Sequence, residues 1–444
     1  MFKDEEDKLR KWKVEIENAG VPEDELEVAI RQGLQRAQQV AKPLKKRPVI
    51  KRGVWAAVVA AILLIAFATS IRVSPAFANV VASIPGMEKI VALIQDNKGL
   101  QSAIDNNHYQ EIGVSGESSG VKVIVDGIIA DKMNLVLFYT IKFKENHKSD
   151  FINHVRIKGA NGEDLKWGGI SQNYAVNFHD SMVSTNSLEI DFQEPLSTKN
   201  VILEFEINGG NGETEVIKLP FTIKMNDVES KRYVLNEEVN VNGQSLTIEE
   251  VTISPVRTAI QVRFDPENTM KIFRFEDLQI VNEKGKVWSS IANGTTASSD
   301  GEKPNVVIYY LQSNYFEKPK QLYLKFGKLM ALEKEEAFLV IDTDRIQILQ
   351  QPKDARFSNL TMLDNHISID FRGEENFNHY PFSSDFYDAN NGYFYFPSRS
   401  GGPNGELEST LVMEMPKESY KSPVKFVIAG YPSYIEKDVK IKIK

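Results

Sequence analysis

Residues 120–143 read GVKVIVDGIIADKMNLVLFYTIKF. Two runs rich in Val, Ile, Leu and aromatic residues flank a short polar turn, and in the first of them Val121, Val123 and Val125 recur at every second position. A period of two places alternate side chains on opposite faces of a strand, so the segment predicts a β-hairpin. The same design returns as SLTIEEVTISPVRTAIQVRF at 245–264 and RFSNLTMLDNHISIDFRG at 356–373. After each hairpin comes a strand pair around a turn, VRIKGANGEDLKW, LQIVNEKGKVWSS and FYDANNGYFYF, with turn glycines Gly162, Gly285 and Gly392. A late strand follows in each unit (VILEFEI, QLYLKFG, VKFVIAG), then a closing one (EVIKLPFTIKM, AFLVIDTDRIQIL, DVKIKIK). Three repeats of seven or so short strands in one internal order predict a mainly β chain of tandem immunoglobulin-like β-sandwiches. The modules are expected at 107–226, 227–350 and 351–444. The Cys–Trp–Cys core of antibody domains is absent, so the expectation concerns architecture alone.

Upstream the pattern changes. Residues 53–71, GVWAAVVAAILLIAFATSI, contain no charge and no strongly polar group. As a helix rising about 1.5 Å per residue they cover roughly 28 Å, close to the ~30 Å hydrocarbon core of a bilayer. One transmembrane helix is expected there. The flank at 42–52 carries six cations, Lys42, Lys45, Lys46, Arg47, Lys51 and Arg52, and no acid, whereas Arg72 stands alone on the far side until Lys89. That asymmetry sets the topology: N-terminus in the cytoplasm, everything after Ile71 outside the cell. Ala76-Phe77-Ala78 resembles a signal-peptidase site, but a signal's basic region is short and here 52 residues precede the apolar run.

Residues 1–41 predict a two-helix cytoplasmic tail broken at Gly20-Val21-Pro22. In the second helix Leu26, Ile30 and Leu34 recur at i, i+4 and i+8, a one-sided apolar stripe. Forty residues bury too little surface to be more than marginally stable alone, so the stripe must pack on something: a partner protein is the expectation, with the membrane surface and the first helix as the alternatives. Between the span and the first sandwich, 72–106 predicts a membrane-proximal helix after Pro85 whose buried face is Ile90, Leu93, Ile94, Leu100 and Ile104.

Composition narrows the chemistry. The net charge is −8. Residues 1–52 hold 13 Lys and Arg against 10 Asp and Glu, a net of +3, and the remaining 392 hold 40 against 51, a net of −11. An acidic outer part argues against nucleic-acid binding, which needs a basic face. With no cysteine there is no disulfide, thiolate metal site or Cys nucleophile. The six histidines (His108, His147, His154, His179, His366, His379) fall at no metal-ligand spacing, and no dinucleotide, P-loop, serine-hydrolase or zinc-protease motif occurs. Asp385, Asp388 and Asn390 miss the register of a calcium loop and fit a hairpin turn better. Neither an enzyme nor a bound cofactor or metal is expected.

The tail motif VPEDELEVAIRQGLQRA, the basic stretch and span, VSPAFANVVASIPGMEKIVALI and DGIIADKMNLVLFYTI together resemble a Gram-positive family of single-pass membrane proteins of unknown function. Its members often accompany extracytoplasmic-function sigma factors and are regarded as anti-sigma factors. The resemblance covers about residues 20–225. It implies a transmembrane regulator whose tail binds a sigma factor through Leu26, Ile30 and Leu34 and whose outer modules sense or scaffold. The other reading of the same architecture is a surface protein for adhesion or wall interaction whose tail merely flanks the span.

Overall fold

The computed structural model describes residues 87–144, 152–173, 182–208, 214–224, 229–291, 296–300, 303–375, 377–417 and 419–444. The expected tail, basic flank and span, with Leu26, Ile30, Leu34, Lys42, Lys45, Lys46, Arg47, Lys51 and Arg52, lie outside them. No helix among the described residues is long and apolar enough to cross a membrane. The chain divides into two compact units, 1–72 and 73–444, and all that follows concerns the second. It is mainly β, with several sheets and two short helices.

The helices are α1 (Met87–Ile94) and α2 (Lys98–Asp105). Sequence periodicity predicts one helix here. Asn97 divides it: its side chain accepts the Leu100 N–H at 3.1 Å and caps a new helix. Ile90, Ile94, Leu100 and Ile104 are buried as expected, together with Met87 and Ala103.

The first core follows in β1 (Tyr109–Glu111), β2 (Ser115–Ser118), β3 (Val121–Ala130), β4 (Asn134–Phe143), β5 (Ile152–Gly159), β6 (Trp167–Asn173), β7 (Val183–Phe192), β8 (Asn200–Asn208) and β9 (Thr214–Thr222). One sheet has the order β1-β3-β4-β7-β6, the other β5-β8-β9. Their inner faces share Val121, Val123, Leu137, Tyr139, Leu188, Leu203 and Phe205, so the two sheets form a sandwich. In β4 the odd positions Leu135, Leu137, Tyr139 and Ile141 fill this core, while Val136 and Phe138 point the other way and meet the helices. Both faces of β4 are therefore covered, which accounts for its nearly unbroken apolar run.

The second core is built from β10 (Lys231–Val241), β11 (Gln244–Ile253), β12 (Arg257–Phe264), β13 (Met270–Phe275), β14 (Gln279–Asn282), β15 (Val287–Trp288), β16 (Ala297–Asp300), β17 (Lys303–Gln312) and β18 (Leu322–Glu333). The order β10-β11-β12-β17-β16 faces β13-β18-β14-β15 around Trp288, Ile260, Leu324 and Phe326. The third comprises β19 (Phe338–Asp342), β20 (Gln347–Gln350), β21 (Phe357–Leu363), β22 (His366–Arg372), β23 (Phe382–Tyr387), β24 (Tyr393–Tyr395), β25 (Arg399–Pro403), β26 (Glu408–Glu414) and β27 (Val424–Ile428). Its sheets, β20-β19-β27-β23-β24 and β21-β22-β26-β25, enclose Phe357, Phe371, Phe382, Phe386 and Phe426.

The last strand, β28 (Tyr434–Lys442), corrects the expected boundary between 350 and 351. In the first core the late strand β8 pairs with its own successor, β9. In the other two the closing strands are exchanged. β19, the successor of β18, pairs with β27 in the third core, and β28 returns to pair with β18, Leu324 opposite Ile441. Ile435, Ile441 and Ile443 thus belong to the second core, Leu339 and Ile341 to the third. Alternation fixes which face of a strand is apolar but not which sheet edge it joins, so both strands read equally well in either place.

The repeated turns agree in part. Gly162 and Gly285 have φ of 85° and 78°, the left-handed region glycine reaches without penalty. At the third turn Asn391 takes that role with φ 61°. Asp388 holds this turn, its Oδ1 accepting the N–H groups of Asn390 at 2.9 Å and Gly392 at 2.7 Å.

Candidate functional site

The outer face of the first sandwich is not left to solvent. α1 and α2 lie on β3 and β4, where Met87, Ile90, Ile94, Leu100 and Ile104 pack with Ile129, Val136, Phe138 and, from the second module, Val256. Polar contacts tie the same helices to the second core. Gln312 on β17 accepts the Lys98 N–H at 3.2 Å and donates to the Asp96 carbonyl at 3.0 Å, and Lys98 Nζ donates to the Val287 carbonyl at 3.2 Å. His108 sets its ring edge-on to Phe316 at 4.6 Å.

Gly99 makes this approach possible. A Cβ there would stand 2.5 Å from the Ser313 backbone nitrogen, which cannot swing aside as a long side chain could. Gly99→Ala is therefore expected to lift α2 off the second core and to cost roughly 1–3 kcal/mol, as overpacking does. Thermal unfolding checks it; an unchanged midpoint would refute the tight contact.

Beside the helices, β7 carries Glu189 and Asp191 on its outer face, each almost fully buried, and β12 begins with Arg257, 1% exposed. The guanidinium bridges both acids, Nη2 to Glu189 Oε2 at 3.2 Å and Nη1 to Asp191 Oδ1 at 2.5 Å. It also lies 4.9 Å from the Tyr310 ring centroid, and Tyr310 shares a hydrogen bond of 2.9 Å with Ser298. From the first module, Asp131 Oδ2 accepts the Val256 N–H at 3.3 Å, while its Oδ1 holds the β3–β4 turn through Met133 and Asn134. Burial pushes the Glu189 carboxyl up to about 7; Arg257 opposes the rise and Asp191 adds to it.

Next to these ion pairs is a cavity of about 210 Å³. Met133, Asn134, Asp191 and Phe192 line it from the first module, and Arg257, Glu250, Thr252, Gln261, Ile308 and Tyr310 are among its walls in the second. A larger, more open cavity of about 730 Å³ lies among the loops of the third core.

Glu249 pairs with Arg263 across the β11–β12 ladder at 2.7 Å, and Glu250 with Arg232 across β10–β11. His379 contacts Arg274 at 2.8 Å. Sequence reasoning missed Arg257, Glu189 and Asp191. SLEIDF shows two acids alternating with core residues, which is also what a solvated strand face looks like.

With this arrangement in view the chain defines a class: a mainly β protein with a helical segment clasped between two of its cores. Residues 50–143 match a domain of unknown function (DUF4179), and residues 230–362 match a family of unknown function (DUF5643). The first match takes in the apolar run, both helices and the hairpin they pack on. No curated protein matches the chain. Among solved structures, a conserved domain protein from Bacillus anthracis has a TM-score of 0.38 and 14% identity, covering 55% of this chain and 84% of its own. A marsupial T cell receptor has a TM-score of 0.16 and 9% identity, covering 72% of this chain and 99% of its own. Both similarities are too slight to carry an argument.

Proposed function

We propose that the protein is a single-pass membrane regulator of the anti-sigma type, with no catalytic activity. In this reading residues 53–71 span the bilayer, N-terminus in the cytoplasm. The tail binds an extracytoplasmic-function sigma factor, and three immunoglobulin-like modules outside sense or scaffold. One observation supports it above others. α1 begins only fifteen residues after the proposed span, and with α2 it is built into the junction of the first two cores. A change at that junction would act directly on the segment joined to the span, as a regulator requires and an adhesive stalk does not.

The test is at the far end. An apolar stripe docked in a partner's groove has no place for a charge, because burying an unpaired carboxylate costs several kcal/mol. Ile30→Glu in the full-length protein is expected to weaken sigma-factor capture by roughly two or more orders of magnitude, each ~1.4 kcal/mol being tenfold. The sigma regulon should rise accordingly. Gln32→Glu, on the other side of the helix, should do little. If Ile30→Glu alters neither capture nor transcription, the reading fails.

A cell-surface protein for adhesion or wall interaction is the second reading. It is favoured by Tyr393 and Tyr395, 50% and 61% exposed with ring centroids 5.0 Å apart on the edge strand β24. Exposed tyrosines of this kind recur at interfaces.

A further inference from the structure

The third core leaves one sheet edge open beside its larger cavity. β25 pairs with β26 and ends the order β21-β22-β26-β25. The Asn404 N–H donates to the Glu408 carbonyl and the Glu414 N–H to the Ser398 carbonyl, so the even-numbered residues between them direct their backbone groups at β26. Antiparallel pairing alternates, which turns the N–H and C=O of Arg399 and Gly401 the other way, off the edge. Neither backbone finds a partner among the described residues, and all of β25 is exposed. Folded chains blunt such edges with charges, bulges or a covering element, because an open ladder recruits another strand. Between Arg399 and Pro403 this edge carries Ser400, Gly401 and Gly402 alone, and a Cβ on Gly402 would meet nothing within 4 Å.

The cavity of about 730 Å³ borders this edge, with Gly401, Gly402 and Pro403 as one wall. Its size is that of an ordinary ligand pocket. Phe371, Phe377, Tyr380 and Leu411 line it with apolar surface; Glu374, Glu375, Glu406 and Glu408 line it with acid, and no Lys or Arg does. Glu374 is held by Arg356 at 2.7 Å, and Arg372 lies opposite Glu408 in the β22–β26 ladder. Glu375 and Glu406 are exposed and form no ion pair among the described residues. The cation of β25 itself, Arg399, lies 5.2 Å from the Tyr380 ring centroid and donates to the Phe382 carbonyl at 2.8 Å.

We propose that β25 takes an extended basic peptide segment of a partner protein as an added strand. The segment's backbone pairs with Arg399 and Gly401, an apolar side chain enters the cavity, and its Lys or Arg side chains lie toward Glu375 and Glu406. In strand addition the main-chain hydrogen bonds supply affinity, while pockets and charges choose the sequence. A second copy's β25 would not answer the glutamates, since its single cation is already engaged. The proposal goes beyond the regulatory reading: the site serves a sensor and an adhesive module alike, and peptide binding is measured without reference to sigma capture.

The probe is a short fluorescein-labelled peptide of alternating lysine and valine, titrated by anisotropy into the full-length protein in detergent. One comparator replaces each lysine with glutamate. The other keeps the lysines but is methylated at every backbone nitrogen, which removes the N–H donors and leaves the charge. The lysine peptide is expected to bind saturably and at least tenfold more tightly than either. Glu375→Lys with Glu406→Lys, two exposed loop positions, is expected to weaken it at least tenfold. Equal binding of the methylated peptide would exclude strand pairing, and equal binding of the glutamate peptide would exclude selection by charge. Undiminished binding by the double variant would place the peptide elsewhere, and saturation by none of the peptides would close the edge to them, whether or not a second copy covers it. Each of these results overturns the proposal.

Discussion

A chain ending at Ser433 is expected to lose its second core while its third survives. The deleted segment contains β28, whose Ile435, Ile441 and Ile443 are each 7–8% exposed in the second core. Burial of an isoleucine side chain contributes about 1.5–3 kcal/mol, so the three together supply roughly 5–9 kcal/mol. The free edge of β18 adds lost ladder hydrogen bonds. A domain's whole stability is about 5–15 kcal/mol, so the truncation should open the second core outright. Hydrogen exchange is the direct measurement: protection should vanish in β11, β12 and β18 and persist in β22, β26 and β27, because the third core keeps its closing strand β19. Loss in the third core with the second intact would contradict the exchange. Tandem modules predict separate unfolding steps, and a third core that outlasts the second is expected to give its own transition in the intact chain.

What the sequence revealed follows from what periodicity encodes. Strands such as β3, β8 and β12 alternate, and their inward residues could be named in advance because one-dimensional pattern determines a strand's face. Pairing is a different matter. FLVID and YIEKDVKIK both alternate, and nothing local tells β19 to cross forward or β28 to return. The continuous run in β4 departs from that alternation, and the fold supplies the reason: a strand apolar on both faces needs two covers, and α1 and α2 provide the second. The ion-pair cluster was hidden for a related reason. Arg257 lies 66 and 68 residues from Asp191 and Glu189, so no spacing links them, and acids alternating along a strand face usually mean water. Only the docking of the two modules turns that face into an interior.

That docking makes stability depend on pH through Glu189. Its carboxyl rises from an ordinary 4.5 to about 7 in the folded protein. Between these values the folded chain retains a proton that the unfolded chain has released, so stability falls as pH rises from about 4.5 to 7 and then levels off. The fall is on the order of 3 kcal/mol at 1.36 kcal/mol per unit. Glu189→Gln removes the titrating group and should flatten the profile, leaving the variant more stable than the parent at pH 8. Arg257→Met acts the other way. It leaves Glu189 and Asp191 buried without their cation, and breaking a buried pair from one side costs about 3–5 kcal/mol. The loss should be greatest at pH 8, where Glu189 is charged and most needs the guanidinium in the junction. At pH 5 it should be smaller, since Glu189 is then already neutral. Chemical denaturation of the full-length chain and both variants at pH 5 and pH 8 measures all of this. An Arg257→Met protein as stable as the parent at pH 8, or an unaltered profile in Glu189→Gln, would show that the cluster does not hold the two cores together.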